Sequence, residues 1–166
     1  MWHFFEVGNN RQAGNVPANN KAQARPAAPL FAGNGEEVMV DNTDRAIAIA
    51  SEKMNVVVND YTAAPIYFSE SNNGSHEWLI EFENDPANIQ EFAYELDCAL
   101  KTLNSDYEAK RHKDIALKLP LVKALPKNTF NKWLHSKGKL GGQHKVPRLS
   151  NERVIVEEIL AVITTK

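Results

Sequence analysis

Cysteine is almost absent from this sequence, with Cys98 the single one among 166 residues. One thiol excludes an internal disulfide and any metal site built from several cysteines of the same chain. No apolar run approaches the ~20 residues that a helix needs to cross a bilayer, and the N-terminus lacks the basic, apolar and small-residue order of a signal peptide. These absences predict a cytoplasmic protein without a membrane partner.

Several motifs that mark catalytic and nucleotide-binding proteins are also missing. No Gly-x-x-x-x-Gly-Lys-Ser/Thr phosphate loop occurs, and no serine–histidine–aspartate triad can be assigned from the sequence. Cys98 lies off the centre of the apolar stripe of its predicted helix, which indicates a partly packed structural thiol rather than a nucleophile. No metal site is predicted, because the histidines show no pairing at metal-ligand spacing; they are His3, His76, His112, His135 and His144.

The composition is that of a soluble globular domain, with 43% apolar and 24% charged residues. The formal net charge of −2 hides an asymmetry between the two halves. Residues 36–97 hold fourteen Asp and Glu against two Lys and Arg, whereas residues 107–148 hold eleven Lys and Arg against two Asp and Glu. The second half therefore carries a positive field that either meets phosphate, on a nucleotide or a nucleic acid, or forms a solvated basic face.

Residues 1–33 differ in composition from the rest of the chain. After Val7 they are rich in Asn, Ala, Pro, Gln and Gly, and they are too poor in apolar side chains to offset the entropy lost on ordering. We predict a disordered arm or a non-native leader over residues 1–33, followed by one folded domain over residues 34–166.

The first half of the predicted domain consists of a helix followed by strands. Asn42 or Thr43 is placed to cap the helix, and residues 38–40 are left open as a short first strand. β-branched and aromatic side chains predict strand segments at Val56–Val58 and Tyr61–Phe68.

A hairpin is predicted at Asn73-Gly74, which is a strong turn signal. The return strand, residues 76–82, alternates apolar and acidic side chains, a pattern typical of a sheet with one buried face. Glu77, Glu81 and Glu83 fall on the other face, and we interpret them as a solvated strand surface rather than as acid–base residues.

The second half of the domain consists of helices around one more strand. Asp85-Pro86 is placed to cap a long amphipathic helix that runs to about Asn104. Residues 116–125, which include a proline, are predicted as an edge strand; a short helix ended by Gly138 and a final helix capped by Ser150 follow. The order predicts an α+β fold: a ferredoxin-like antiparallel sheet with helices on one face, plus two C-terminal helices.

The stretch between the last two predicted helices holds the candidate chemistry. It reads Gly138-Lys139-Leu140-Gly141-Gly142-Gln143-His144-Lys145-Val146-Pro147-Arg148. Three glycines let the backbone approach a ligand closely, and Lys145 and Arg148 place two cations on the loop. Such a loop is suited to neutralise charge that develops on a transferring phosphate. The alternative is a helix C-cap followed by an exposed basic turn.

From Gly141 to Asn151 the sequence resembles the C-terminal signature of the Gretchen Hagen auxin-responsive family of acyl-acid amido synthetases. Its residues are most similar to those of the bacterial branch of that family. The resemblance covers roughly residues 34–160. Further blocks share it: Gly35-Glu36-Glu37, Val40-Asp41-Asn42, Asp60-Tyr61-Thr62-Ala63-Ala64-Pro65, His76-Glu77-Trp78-Leu79-Ile80-Glu81-Phe82 and Leu103-Asn104-Ser105-Asp106-Tyr107-Glu108-Ala109-Lys110-Arg111.

The resemblance implies an adenylate-forming ligase. Such enzymes use ATP and magnesium to activate a carboxylic acid as an acyl-adenylate, and then transfer the acyl group to an amine or amino acid. A large N-terminal domain holds the substrates, and a small C-terminal lid domain closes over it and swings between the half-reactions. The resemblance makes Lys145 the catalytic lysine that reaches the nucleotide phosphates, while Gln143 and Arg148 match the flanking nucleotide-binding positions.

The sequence departs from the complete family pattern, because the Ser/Thr-rich phosphate loop and the other motifs of the large domain are absent. Residues 1–33 also do not resemble the segment that precedes this domain in the family. A truncation, or a reading-frame error upstream, accounts for both departures. We therefore expect a fragment that is inactive alone, holds no cofactor by itself and has the missing adenylation domain as its partner.

Two other functions fit less of the sequence. A free-standing nucleic-acid-binding module would use the basic second half, with Trp78 and Phe82 stacking bases on a ferredoxin-like sheet. Glutamates flank those aromatic residues and no RNP1 sequence is present, so no nucleic-acid partner is expected. A regulatory small-molecule-binding domain is supported by no particular residue.

Overall fold

The computed structural model describes residues 36–67, 74–114, 117–139 and 145–164. The predicted leader over residues 1–33 lies outside these ranges, so its disorder stays a prediction. In chain order the elements are α1 (Glu36–Met54), β1 (Val58–Tyr67), β2 (Gly74–Phe82), α2 (Ile89–Leu103), α3 (Ser105–Arg111), a 3-10 turn (His112–Asp114), β3 (Leu121–Leu125), α4 (Thr129–Ser136) and α5 (Val154–Thr164).

Helix α1 begins earlier than the sequence indicates. It starts at Glu36 and takes in residues 38–40, which the sequence leaves open as a strand, so Asn42 and Thr43 lie inside the helix. The Thr43 hydroxyl donates a hydrogen bond to the Val40 carbonyl oxygen at 2.8 Å, which satisfies it within the helix. The buried stripe of α1 has helical spacing and consists of Thr43, Ala46, Ile47 and Ala50.

Strands β1 and β2 form the predicted hairpin. They pair antiparallel from Val58 opposite Phe82 to Tyr67 opposite Gly74. The two strand segments that the sequence predicts before the turn are replaced by a single strand that begins only at Val58, so Val56 and Val57 lie before it. The ladder has a register shift between Val58 and Asp60. The polar residues between the two predicted segments therefore form an irregularity in the hydrogen-bond ladder between β1 and β2 rather than a loop.

Strand β3 runs parallel to β2, so the three-stranded sheet, in the order β1-β2-β3, is mixed. The α+β class is confirmed, whereas the prediction of a wholly antiparallel sheet is wrong at this strand. Helices α2 and α3 return the chain from the end of β2 to the side of the sheet where β2 begins, so β3 enters in the same direction. As predicted, β3 lies at an edge of the sheet.

Helix α3 is an element that the sequence analysis missed. The Asn104 side chain accepts a hydrogen bond from the backbone N–H of Tyr107 at 2.9 Å, so the residue that ends α2 also caps α3. Tyr107 and Arg111 both donate to the buried carboxylate of Asp97 on α2, at 2.7 and 2.6 Å. Burial raises the pKa of Asp97, but Arg111, Lys101 and Tyr107 outweigh burial and hold that pKa below its usual value.

Both faces of the sheet are covered, although the sequence predicts one buried face. Helices α1 and α2 pack on the face that carries Trp78, Ile80 and Phe82. The two C-terminal helices, α4 and α5, cover the opposite face around Leu79 and Leu125. The predicted helices on one face plus two C-terminal helices are confirmed, and the C-terminal pair buries the second face.

Burial of the second face changes the interpretation of the glutamates on β2. Glu83 is exposed as predicted, but Glu77 and Glu81 are only 2% and 8% exposed, so the solvated-surface prediction is wrong for these two. Lys123 and Arg153 contact the Glu77 carboxylate at 2.5 and 2.6 Å. Burial raises the pKa of Glu77, but the two cations outweigh it and hold the pKa below its usual value.

Candidate functional site

The loop that carries the candidate lysine begins at the end of α4. Gly138 has a φ of +67°, and its N–H donates to the His135 carbonyl oxygen at 3.0 Å. It therefore ends the helix, as predicted. Residues 140–144, which include Gln143, lie outside the described ranges, and the chain is described again from Lys145.

Lys145 is the first residue of the next described range. Its side chain is exposed, and in the part of the chain that the structure describes it has no ion-pair partner. The next residue, Val146, is 3% exposed and packs in the core between the sheet and the C-terminal helices. The lysine is thus a solvated cation attached directly to a buried anchor.

Residues 146–150, which we term the strap, lie along the outer edge of β1. The Thr62 hydroxyl donates to the Pro147 carbonyl oxygen at 2.7 Å. The Ala63 N–H donates to the Arg148 carbonyl oxygen, and the Ser150 N–H donates to the Ala63 carbonyl oxygen, both at 2.9 Å. The strap therefore adds a short parallel bridge to the sheet.

The side chain of Arg148 binds to the same edge of the domain. Its guanidinium forms a close ion pair with Asp60, and its Nε lies 3.3 Å from a carboxylate oxygen of Asp44. It also lies over the ring of Tyr61, 4.5 Å from the centroid. We term Arg148, Asp44, Asp60 and Tyr61 the Arg148 cluster. The nucleotide contact of Arg148 stays a prediction. Within the domain, the guanidinium of Arg148 is paired with two carboxylates.

Tyr61 links the Arg148 cluster to α1. Its hydroxyl donates to a carboxylate oxygen of Asp44 at 2.6 Å and lies 3.0 Å from the Thr43 hydroxyl. Burial is the main cause that raises the pKa of Tyr61. The phenol therefore keeps its proton and serves as a donor to Asp44.

The strap and the Arg148 cluster lie within a region that matches a known family. The model of the GH3 family C-terminal domain matches residues 41–154. The chain belongs to the GH3 family. The resemblance drawn from the Gln143-His144-Lys145-Val146-Pro147-Arg148 loop and its accompanying blocks is thereby confirmed, and we refer to the chain as the GH3 domain.

The solved structures that share the fold of the GH3 domain include two acyl acid amido synthetase structures. The GH3.15 acyl acid amido synthetase is 17% identical, with a TM-score of 0.57, and the alignment covers 76% of this chain and 23% of that one. The AtGH3.15 acyl acid amido synthetase in complex with 2,4-DB is 16% identical, with a TM-score of 0.55, and the alignment covers 73% and 23%. The GH3 domain thus spans less than a quarter of either synthetase. No curated protein matches the sequence.

The acidic partners of Arg148 were not singled out from the sequence. Asp60 and Tyr61 belong to one of the blocks that resemble the family, which is the signal that marked this segment. Asp44 carried no such signal. No spacing rule connects residues 44 and 60 to residue 148, so only the folded chain brings them together.

Two other ionisable groups of the GH3 domain have structural roles. His76 is 3% exposed and stacks on Tyr107, with 6.0 Å between the ring centroids. Burial, together with the charge of Lys110, lowers the pKa of His76 to about 3. The Asp97 carboxylate forms a buried ion pair with Arg111.

Within the described ranges, no group of three or more His, Cys, Asp or Glu is placed to hold a metal ion.

The two aromatic residues that a nucleic-acid-binding module would use to stack bases are buried in the core of the GH3 domain. Trp78 and Phe82 are 0% and 1% exposed and lie beneath α1 and α2. Bases cannot stack on side chains that the helices cover, so the stacking role considered for these two residues is wrong.

None of the helices in the described segments is long and apolar enough to span a bilayer.

Proposed function

We propose that the GH3 domain is the lid of an ATP-dependent acyl-acid amido synthetase. The complete enzyme would adenylate a carboxylic acid and then transfer the acyl group to an amine or amino acid. The observation that carries the proposal is Lys145, an exposed cation between the glycine-containing loop and the anchored strap. Membership of the GH3 family, and a fold shared with two acyl acid amido synthetases, support it.

The chemistry of adenylate formation explains why a lysine suits this position. A carboxylate oxygen of the acid attacks the α-phosphorus of ATP, and the bond between that phosphorus and the departing pyrophosphate breaks. Negative charge grows on the oxygens of the α-phosphate and the pyrophosphate. An ammonium group already positioned there stabilises the transition state more than the ground state.

We assign this ammonium group to Lys145 and expect Gln143 to contact the same phosphates. ATP and its magnesium ion would be held chiefly by the large N-terminal domain, which is the partner that the GH3 domain requires. In the second half-reaction the amine attacks the acyl carbon and AMP leaves. The lid would by then have rotated Lys145 away, so this step depends on the lysine much less.

The test is Lys145→Ala in a complete synthetase that carries this domain, with each half-reaction measured separately. Adenylation should slow by roughly 10²–10³-fold, while amide formation from pre-made acyl-adenylate should change little. Lys139→Ala is the matched control, because Lys139 is an exposed lysine on the other side of the same loop. Equal losses in the two half-reactions, or no loss in adenylation, would contradict the assignment.

A further inference from the structure

We propose that Arg148 is a positioning residue that holds the strap, and with it Lys145, against β1, and that it does not bind the nucleotide. The catalytic consequence rests on the proposed function, whereas the anchoring itself rests on contacts within the domain. Side chain and backbone of Arg148 both bind β1: the guanidinium pairs with Asp60, and the carbonyl oxygen accepts the Ala63 N–H.

The charges around Arg148 favour anchoring over phosphate binding. One guanidinium faces two carboxylates, Asp60 and Asp44, so the cluster as a whole is negative. A phosphate that approached Arg148 would meet both carboxylates at close range and would have to displace at least one of them. The ring of Tyr61 covers a face of the guanidinium and restricts its orientation further.

The distance along the chain explains why anchoring Arg148 matters for Lys145. Only Val146 and Pro147 separate the two residues, and Val146 is buried in the core. Pro147 also has a fixed φ and a carbonyl oxygen bound by Thr62. A shift of the strap therefore moves the backbone of Lys145, and a misplacement of about 1 Å can cost roughly 10²-fold in rate.

The anchoring can be tested in the 166-residue chain by amide hydrogen exchange. In Asp60→Asn, the amides of Ala63 and Ser150, which join the strap to β1, should exchange up to about fivefold faster, as expected when a partly exposed ion pair is lost. The matched control is Asp106→Asn, because Asp106 forms an exposed ion pair with Lys110 elsewhere in the domain. Amides in the middle of β2 serve as the reference for global unfolding. Unchanged exchange at Ala63 and Ser150 in Asp60→Asn would overturn the anchoring role.

Steady-state kinetics of adenylation in a complete synthetase separate positioning from nucleotide binding. If Arg148 acts through Lys145, Arg148→Lys and Asp60→Asn should both lower kcat by roughly ten- to a hundredfold and leave the KM for ATP nearly unchanged. If Arg148 were instead a phosphate ligand, Arg148→Lys would raise the KM for ATP, and Asp60→Asn, which frees the arginine, would leave it unchanged or lower it.

The double variant Lys145→Ala, Arg148→Lys distinguishes a failure of the positioning role of Arg148 from a failure of the proposed function. A positioning residue adds little further loss once Lys145 is gone, whereas an independent ligand adds its full loss. Additive losses would overturn the positioning role and leave the function of Lys145 standing. Normal adenylation in Lys145→Ala alone would instead overturn the proposed function.

Discussion

Glu81, near the end of β2, accepts a hydrogen bond from the backbone N–H of Asn128 at 2.8 Å, across 47 positions of the chain. Its other carboxylate oxygen accepts the N–H of Phe130 at 3.4 Å. Asn128 is the N-cap residue of α4, and its own side chain makes no capping bond. A strand residue on the covered face of the sheet therefore satisfies the free N–H groups at the start of a helix.

We predict that Glu81→Ala lowers the free energy of unfolding by about 1–2 kcal/mol, because α4 loses its capping acceptor. Glu83→Ala is the matched control, since Glu83 lies two positions away but is exposed and pairs with Lys127 at the surface. It should cost clearly less than Glu81→Ala, because an ion pair between exposed side chains contributes little to stability. Urea unfolding monitored by tryptophan fluorescence measures both, and equal losses would contradict the capping role.

The stability of the domain should fall as the pH drops from about 6.5 toward 3, because of His76. Its pKa is about 3 in the folded protein and 6.5 in its ordinary environment, so between these values the unfolded chain binds a proton that the folded chain does not. The unfolding free energy should therefore decrease by up to about 1.4 kcal/mol per pH unit on acidification.

The His76→Gln variant should show a flatter pH dependence of the unfolding free energy over this range, whereas His112→Gln, at an exposed position, should match the wild type. The carboxylates act at lower pH, in a range that overlaps that of His76 only below about pH 4. Asp97 and Glu77 have folded pKa values below their usual ones, so their contribution is present above about pH 4 and is lost as the pH falls through the folded values. Equal slopes between pH 6 and 4 in both histidine variants would refute the assignment to His76.

The isolated GH3 domain should not catalyse acid-dependent exchange of pyrophosphate into ATP. One lysine cannot position both the nucleotide and the carboxylate, and most of the rate enhancement depends on that positioning. A complete synthetase assayed in parallel supplies the positive control. Exchange by the purified chain, above that of its Lys145→Ala variant, would show that the domain holds a substrate pocket of its own.

The sequence by itself determined the elements whose signals are local. The apolar period of α2, the hairpin of β1 and β2 and the left-handed Gly138 at the end of α4 all depend on residues within a few positions of one another. The predicted turn itself is not tested, because Asn73 lies outside the described residues and Gly74 already begins β2. The family was equally readable, because its blocks of residues keep their order along the chain. The exposure of Lys145 also followed from its neighbours in the sequence alone.

Only the tertiary structure decided which charges are buried and what they bind. The alternation in β2 showed one apolar face, but it carried no information about α4 and α5, which cover Glu77 and Glu81 on the other. Asp60 and Arg148 are 88 positions apart, and their pairing depends on the strap lying along β1. Periodicity reports the faces of a single element, whereas the partner of a charge is set by the packing of distant elements against it.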